Sequence, residues 1–195
     1  MTLNGGSSVV VSGNLVIMGD LTLNSALTIL PGGSVTVYGN VTVVSSNYLV
    51  VGTVAAPPPY ADLIIRNDLK QINSGDVTLN KNSRVAVLET LLMITGGGTK
   101  LTLNQGAEMY VNGNINYSGG GDNITNNNST NPYGLYVNGS VSNTGGGANT
   151  TGNKTDKATM TTTNPTFATW VNTAAAVMPV TLVSFEVYGH QQRRY

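Results

Sequence analysis

The side chains here that could move protons near neutral pH are one imidazole, His190, and nine carboxylates. The carboxylates are Asp20, Asp62, Asp68, Asp76, Glu89, Glu108, Asp122, Asp156 and Glu186, spread over the whole chain. Acid–base or nucleophilic catalysis needs such groups to converge. His190 sits near the C-terminus among Gly189, Gln191 and Gln192, and reads as a solvated tail residue. One histidine is too few for a histidine metal cluster and a poor start for a Ser-His-Asp triad. Cys is absent, which removes thiolate metal sites and disulfides. The expectation is a chain without catalytic activity, metal or cofactor.

Hydroxyls and apolar side chains at regular spacing are the other candidates. Thr2, Thr22, Thr28, Thr78 and Thr102 each stand in the middle of a Leu-rich segment. A flat ladder of Thr22, Thr28, Thr78 and Thr102 could bind a glycan or ice. Solvent-facing hydroxyls favoured by β-propensity are the simpler account, because there is one Thr per strand and not a pair. A second column is Val10, Thr36, Ile64, Ala86, Tyr110 and Tyr136. Alternation turns it away from the core, yet most of it is apolar, so a cover is expected. The C-terminal segment, the Gly/Asn tracts or another subunit could supply that cover.

The elements that position these columns are repeats. The unit is apolar-x-apolar, three turn residues, apolar-x-apolar. Val9-Val10-Val11, Ser12-Gly13-Asn14, Leu15-Val16-Ile17 is the first copy, and Val35-Thr36-Val37, Tyr38-Gly39-Asn40, Val41-Thr42-Val43 is the second. Further copies begin at Leu63 (degraded, ending Leu69-Lys70-Gln71), Val85, Met109 and Leu135. A recurrence of roughly 20–30 residues signals stacked repeats. Period-two alternation puts Val9, Val11, Leu15 and Ile17 on one face. Turns rich in Gly and Asn suit corners where a residue takes φ > 0. A third strand family is Met1-Thr2-Leu3-Asn4, Leu21-Thr22-Leu23-Asn24, Leu27-Thr28-Ile29, Val77-Thr78-Leu79-Asn80 and Leu101-Thr102-Leu103-Asn104.

Three families give a three-sided coil. The expected fold is all-β, a parallel β-solenoid (β-helix) of about six coils with a C-terminal strand extension. At about 4.8 Å per coil the rod is roughly 30 Å long. The expected core is Val9, Val11, Leu15, Ile17, Val35, Val37, Val41, Val43, Val85, Val87, Leu91, Val111 and Ile115. Corner residues Asn14, Asn40 and Asn114 would stack as a ladder. Asp68 and Glu89 fall at equivalent corners, where solvation is a simpler account than Ca²⁺ binding. Gly119-Gly120-Gly121-Asp122-Asn123 is similar to Gly-rich calcium repeats but occurs once. β-Helix enzymes acting on polysaccharides use clustered acids, which the scattered acids here do not suggest.

The expected organisation is 1–143 solenoid, with loop insertions at 52–62 (Pro-rich) and 118–134; 144–166 low-complexity Gly/Asn/Thr; and 167–195 a C-terminal strand segment. In the last, Val183, Phe185 and Val187 share one face. Charged residues are 9% of the chain and net charge is zero. That argues against a nucleic-acid partner and favours self-association. No apolar run is long enough for a membrane span, and no signal peptide is visible before the first strand.

Residues 178–188 resemble the "Leu-Pro-Val-x-Leu-x-Ser-Phe" strand of secreted surface proteins of the Bacteroidota. Pro179, Val180, Leu182, Ser184 and Phe185 match, and Met178 stands for the usual Leu. In that group the strand follows β-rich ectodomains and precedes a C-terminal secretion or anchoring module. The resemblance implies export by a type IX-like route and an extracellular or cell-surface location. The repeat is similar in style to secreted adhesin β-helices.

The sequence thus points to a non-enzymatic, self-assembling subunit of a surface filament or adhesive fibre. Its partner would be further copies of itself, joined end to end or by exchange of the C-terminal strand. Val10, Tyr110, Tyr136, Val180, Leu182, Val183, Phe185, Val187 and Tyr188 are the candidate assembly residues. The alternatives are a solenoid module that binds cell-surface glycans or ice through its Thr column, and a carbohydrate-active β-helix enzyme.

Overall fold

A computed structural model describes residues 1–6, 8–45, 48–54, 59–94, 98–119, 121–128, 134–145 and 154–176. Short β-branched and Leu-rich strands alternate with Gly- and Asn-rich corners, and the strands recur in threes. The first circuit is β1 (Thr2–Leu3), β2 (Val9–Val11) and β3 (Asn14–Ile17). The second is β4 (Leu21–Leu23), β5 (Leu27–Ile29) and β6 (Ser34–Val37), and the third β7 (Val41–Val44), β8 (Tyr48–Val51) and β9 (Ala61–Ile65). The fourth is β10 (Leu69–Ile72), β11 (Asp76–Leu79) and β12 (Ser83–Val87), and the fifth β13 (Leu91–Ile94), β14 (Lys100–Leu103) and β15 (Glu108–Val111). The sixth is β16 (Ile115–Tyr117), β17 (Asn123–Asn126) and β18 (Leu135–Val137), and β19 (Val141–Asn143) opens a seventh.

Every strand pairs in parallel with its equivalent one circuit away. Sheet A runs β1-β4-β7-β10-β13-β16-β19, sheet B runs β2-β5-β8-β11-β14-β17 and sheet C runs β3-β6-β9-β12-β15-β18. The chain is an all-β parallel solenoid, as its repeat predicts. Inward residues stack in columns, such as Leu21, Val41, Leu69, Leu91 and Ile115 in sheet A. All five are buried. Full burial of a side chain of this kind contributes roughly 1.5–3 kcal/mol. Of the expected core residues only Val9 and Leu15 are partly exposed, because the first circuit has a neighbour on one side only.

The phase of the first circuit differs from the expectation. Leu15, not Val9, lies in register with Val35, and Val9 pairs with Leu27 in sheet B. The segments 9–11 and 35–37 thus belong to different sheets, although the solenoid holds. Ser12-Gly13-Asn14 resembles Tyr38-Gly39-Asn40, and apolar alternation is alike on all three sheets, so pattern does not reveal which sheet a strand joins. The Leu-Asn family divides for the same reason: β1 and β4 lie in sheet A, β11 and β14 in sheet B. Ala61 and Asp62 belong to β9, and β17 lies inside the expected 118–134 insertion.

The corners work differently from the expectation too. Between sheets C and A, Gly39, Gly113 and Gly139 do not have positive φ. They are Gly because adjacent circuits nearly touch: a Cβ on Gly113 would stand 2.7 Å from the Glu89 carbonyl oxygen, and one on Gly139 2.4 Å from that of Gly113. Positive φ is found instead at the other two corners: at Gly32, Gly52, Asn82, Gly106 and Gly134 between sheets B and C, and at Gly6, Ser45, Asn73, Ser74 and Gly98 between sheets A and B.

A ladder runs along the C–A corner. The Asn40 N–H donates to Asp20 Oδ1 (2.7 Å), that of Asp68 to Asn40 Oδ1 (3.3 Å), that of Thr90 to Asp68 Oδ1 (3.1 Å) and that of Ser140 to Asn114 Oδ1 (2.9 Å). Asn14 is no part of it, since it opens β3. A second ladder joins Asn104 Nδ2 to Asn80 Oδ1 (2.9 Å) and Asn127 Nδ2 to Asn104 Oδ1 (3.1 Å). The degraded repeat brings Gln71 inward and fully buried. Its amide donates to the carbonyls of Gly75 and Lys100, both at 2.9 Å.

After the last strand the chain forms two helices, α1 (Lys157–Thr163) and α2 (Pro165–Ala176). Asp156 caps α1 by accepting the Thr159 N–H at 2.7 Å. Pro165 starts α2, where a missing N–H costs nothing. Residues 157–163 are therefore helix within the expected low-complexity tract, and 167–176 are helix and not strand. Residues 178–188 lie outside the described residues.

Gly113→Ala should cost about 1–3 kcal/mol through overpacking, visible as a fall in Tm of about 2–4 °C per kcal/mol. Gly13→Ala should leave Tm unchanged or slightly raised, since a Cβ there meets nothing within 4 Å.

Candidate functional surfaces

Most of the described acids hold structural hydrogen bonds. Asp20 and Asp68 accept corner N–H groups. Asp122 is buried, taking the Thr99 N–H (3.1 Å) and hydroxyl (2.9 Å) on one oxygen and the Gly119 N–H (2.8 Å) on the other. That inward use accounts for Asp122 in the Gly-rich segment that looked calcium-like. Asp76 stands outward on sheet B in register with Lys100. Asp68 pairs across the corner with Thr90, one residue on from Glu89. Among the described residues no three His, Cys, Asp or Glu side chains are grouped to hold a metal ion. His190 and Glu186 lie outside the described residues.

The outward apolar column is covered by the chain itself. Thr36, Ile64, Ala86, Tyr110 and Tyr136 share one register line on sheet C. Tyr110 and Tyr136 are buried in a cluster with Met160 of α1 and Phe167, Ala168 and Val171 of α2. Phe167 lies 5.7 Å from the Tyr136 ring and stacks on Trp170 at 5.5 Å. The two tyrosines are therefore interior to this chain and not free for a partner. Val10 belongs elsewhere, on sheet B between Val9 and Val11, and is 57% exposed. The remaining candidate assembly residues, Val180, Leu182, Val183, Phe185, Val187 and Tyr188, lie outside the described residues.

Beside that cluster runs a polar line, Ser34, Asp62, Arg84 and Glu108, at the start of the sheet C strands. Arg84 grips Asp62 with two charge-assisted bonds, 2.8 and 2.7 Å. Its guanidinium also lies 4.2 Å from the Tyr60 ring centroid and 4.9 Å from that of Trp170. Asn164, between the helices, donates to Glu108 Oε1 and to the Tyr136 hydroxyl (3.3 Å), and accepts the Phe167 N–H (3.3 Å). Arg66 closes the far end of α2, donating to the Ala175 carbonyl at 2.9 Å. The helical pair is a clasp, pinned at both ends.

The Thr column is split. Thr2 and Thr22 align on sheet A, whereas Thr28, Thr78 and Thr102 lie on sheet B with Val50 between the first two. The single expected column is thus two shorter ones, Thr2, Thr22 and Thr42 on sheet A and Thr78, Thr102 and Thr125 on sheet B.

The ends of the rod remain. β1, β2 and β3 are the terminal strands of all three sheets. The parallel ladder turns the N–H and C=O of Thr2, Val10 and Val16 toward that open side, with no strand beyond them among the described residues. Val16 and Met18 are 57% and 64% exposed. Residues 1–19 contain no Asp, Glu, Lys or Arg. At the opposite end sheet C is closed: Val137 N–H donates to Thr155 O (2.9 Å) and Thr155 N–H to Leu135 O (3.0 Å). The sequence reading missed this asymmetry, since nothing in the pattern announces Thr155 as a strand partner.

Comparison of the chain with protein-family models, curated proteins and solved structures gives no match. No helix among the described residues is long and apolar enough to cross a membrane.

Burial pushes the Glu108 carboxyl above its ordinary 4.5, against the Asn164 hydrogen bond and the pull of Arg84. A raised carboxyl pKa means that proton uptake stabilises the docked clasp. Docking should be firmest below the ordinary value and weaken as pH rises through the raised one. Asp156 acts oppositely and lower: the Thr159 N–H holds it below its ordinary 3.8, so its support is lost only on stronger acidification. Fluorescence of Trp170, the one tryptophan, should follow the Glu108 transition, and Glu108→Gln should abolish it.

Proposed function

We propose that this chain is a structural building block, a β-solenoid subunit of an extracellular filament or adhesive fibre that assembles through the ends of its rod. The observation that carries this reading is the outer edge of the first circuit, beyond which no strand lies among the described residues. Native edge strands are guarded by charge, Pro, bulges or a covering element, and among the described residues β1, β2 and β3 carry none of these. Their free backbone groups and the exposed Val10 and Val16 suit another β-circuit stacked in register. A contact between different ends of two copies does not close on itself, so it propagates as a fibre. The contact would run through sheet A, joining β1 of one copy to β19 of the next. The near absence of charge leaves close stacking unopposed. The resemblance of residues 178–188 to strands of exported surface proteins supports the extracellular location.

The test is sedimentation velocity with negative-stain microscopy on the 195-residue chain across a concentration series. Rods of increasing length are expected. Val10→Lys with Val16→Lys adds two guarding charges at outward positions, and should leave monomers with an unchanged circular dichroism spectrum. A wild-type chain that stays monomeric at high concentration would refute the reading, as would a double variant that assembles as well as wild type.

A further inference from the structure

The outer face of sheet A carries a feature that neither the core nor the rod ends absorb. Val44, Ile72 and Ile94 stand in one outward register line across β7, β10 and β13. Leu92 lies beside them in the neighbouring line, between Lys70 and Asn116. Outward positions of an exposed sheet are ordinarily polar. Here four apolar side chains adjoin, and Ile94 is 43% exposed. Sheet C has a comparable outward apolar column, and there the chain folds a helix over it.

The clasp delivers the chain to the edge of sheet A that lies one strand width from this stripe. α2 starts near Tyr136 in the sixth circuit and ends at Arg66, which follows β9 in the third. Its 12 residues measure about 18 Å, enough for the roughly 14 Å separating four successive strands. The chain after Ala176 thus leaves from the flank of the rod, at the corner from which sheet A begins, and not from its tip. A four-residue strand such as β10 is about 13 Å wide. From Ala176 to Val183 an extended chain reaches up to ~23 Å.

We infer that the outer face of sheet A at Val44, Ile72, Leu92 and Ile94 is a docking surface for the segment that follows α2, residues 178–188 of the same chain. The segment has the complementary pattern: alternation sets Val183, Phe185 and Val187 on one side and Ser184 and Glu186 on the other. Tethering at Arg66 gives it a local concentration on the order of millimolar at its own stripe, which a second copy in dilute solution does not match. The occupant is separate from the rod-end contact, so either can fail without the other.

The test uses the full chain carrying Val10→Lys and Val16→Lys, to suppress end contacts. The chain has no Cys, so Lys70→Cys beside Leu92 takes one nitroxide label. Amide NMR signals of residues 180–188 should be broadened at least several-fold more than in the reduced sample, and Ile94→Asp should restore them. Absence of broadening would overturn the proposal. So would broadening that survives Ile94→Asp, or broadening that appears only when labelled ¹⁴N chains are mixed with unlabelled ¹⁵N chains, which would place a second copy on the stripe.

Discussion

A backbone edge in a parallel sheet is satisfied only by another edge in register, and every feature of this chain follows from that demand. Each circuit leaves N–H and C=O groups on both sides, and these find partners only when the next circuit repeats the strand lengths and corner geometry. Inward Val, Leu and Ile are then forced into columns, which makes the core. Corners are forced together, which excludes a Cβ at Gly113 and Gly139. Side-chain oxygens at Asp20, Asn40, Asp68 and Asn114 stand where the next circuit presents an N–H, so the corners are sewn as tightly as the sheets.

The same demand distinguishes the three sides. Sheet C has aromatic residues facing outward, and the chain folds α1 and α2 back over them, held by Arg84, Asn164 and Arg66. Sheet B faces outward with Thr and charged residues together with Val10, Tyr48 and Val50, and carries no such cover among the described residues. Sheet A carries outward apolar residues in the third to fifth circuits, across the strand width from the corner where α2 ends. The rod thus has one clasped side and, among the described residues, one end with no strand beyond it.

Much of this was legible in the residues. Period-two alternation gave the inward faces, and the spacing of the copies gave the stack. The demand for a cover over Ile64, Ala86, Tyr110 and Tyr136 also followed from alternation. What alternation does not encode is phase. Val9-Val10-Val11 satisfies any of three equivalent walls, so its place in sheet B depends on corner geometry that Ser12-Gly13-Asn14 does not declare. The helices were missed because Thr, Asn and Ala dominate residues 157–176, a composition with weak helix propensity outside Ala. Their formation depends on tertiary burial of Met160, Phe167 and Val171. The Arg84 line was missed because its partners come from separate circuits and from α2. Gln71 looked like decay of the repeat and is an inward donor to two carbonyls.

Backbone hydrogen exchange at the first circuit tests most directly whether the open edge is the assembly surface. In dilute chain the amides of Val10 and Val16 should exchange rapidly while those of β7 to β13 remain protected. As concentration rises, Val10 and Val16 should become protected in step with the appearance of rods. Protection of these two amides in isolated monomers, or rods in which they continue to exchange freely, would contradict the account.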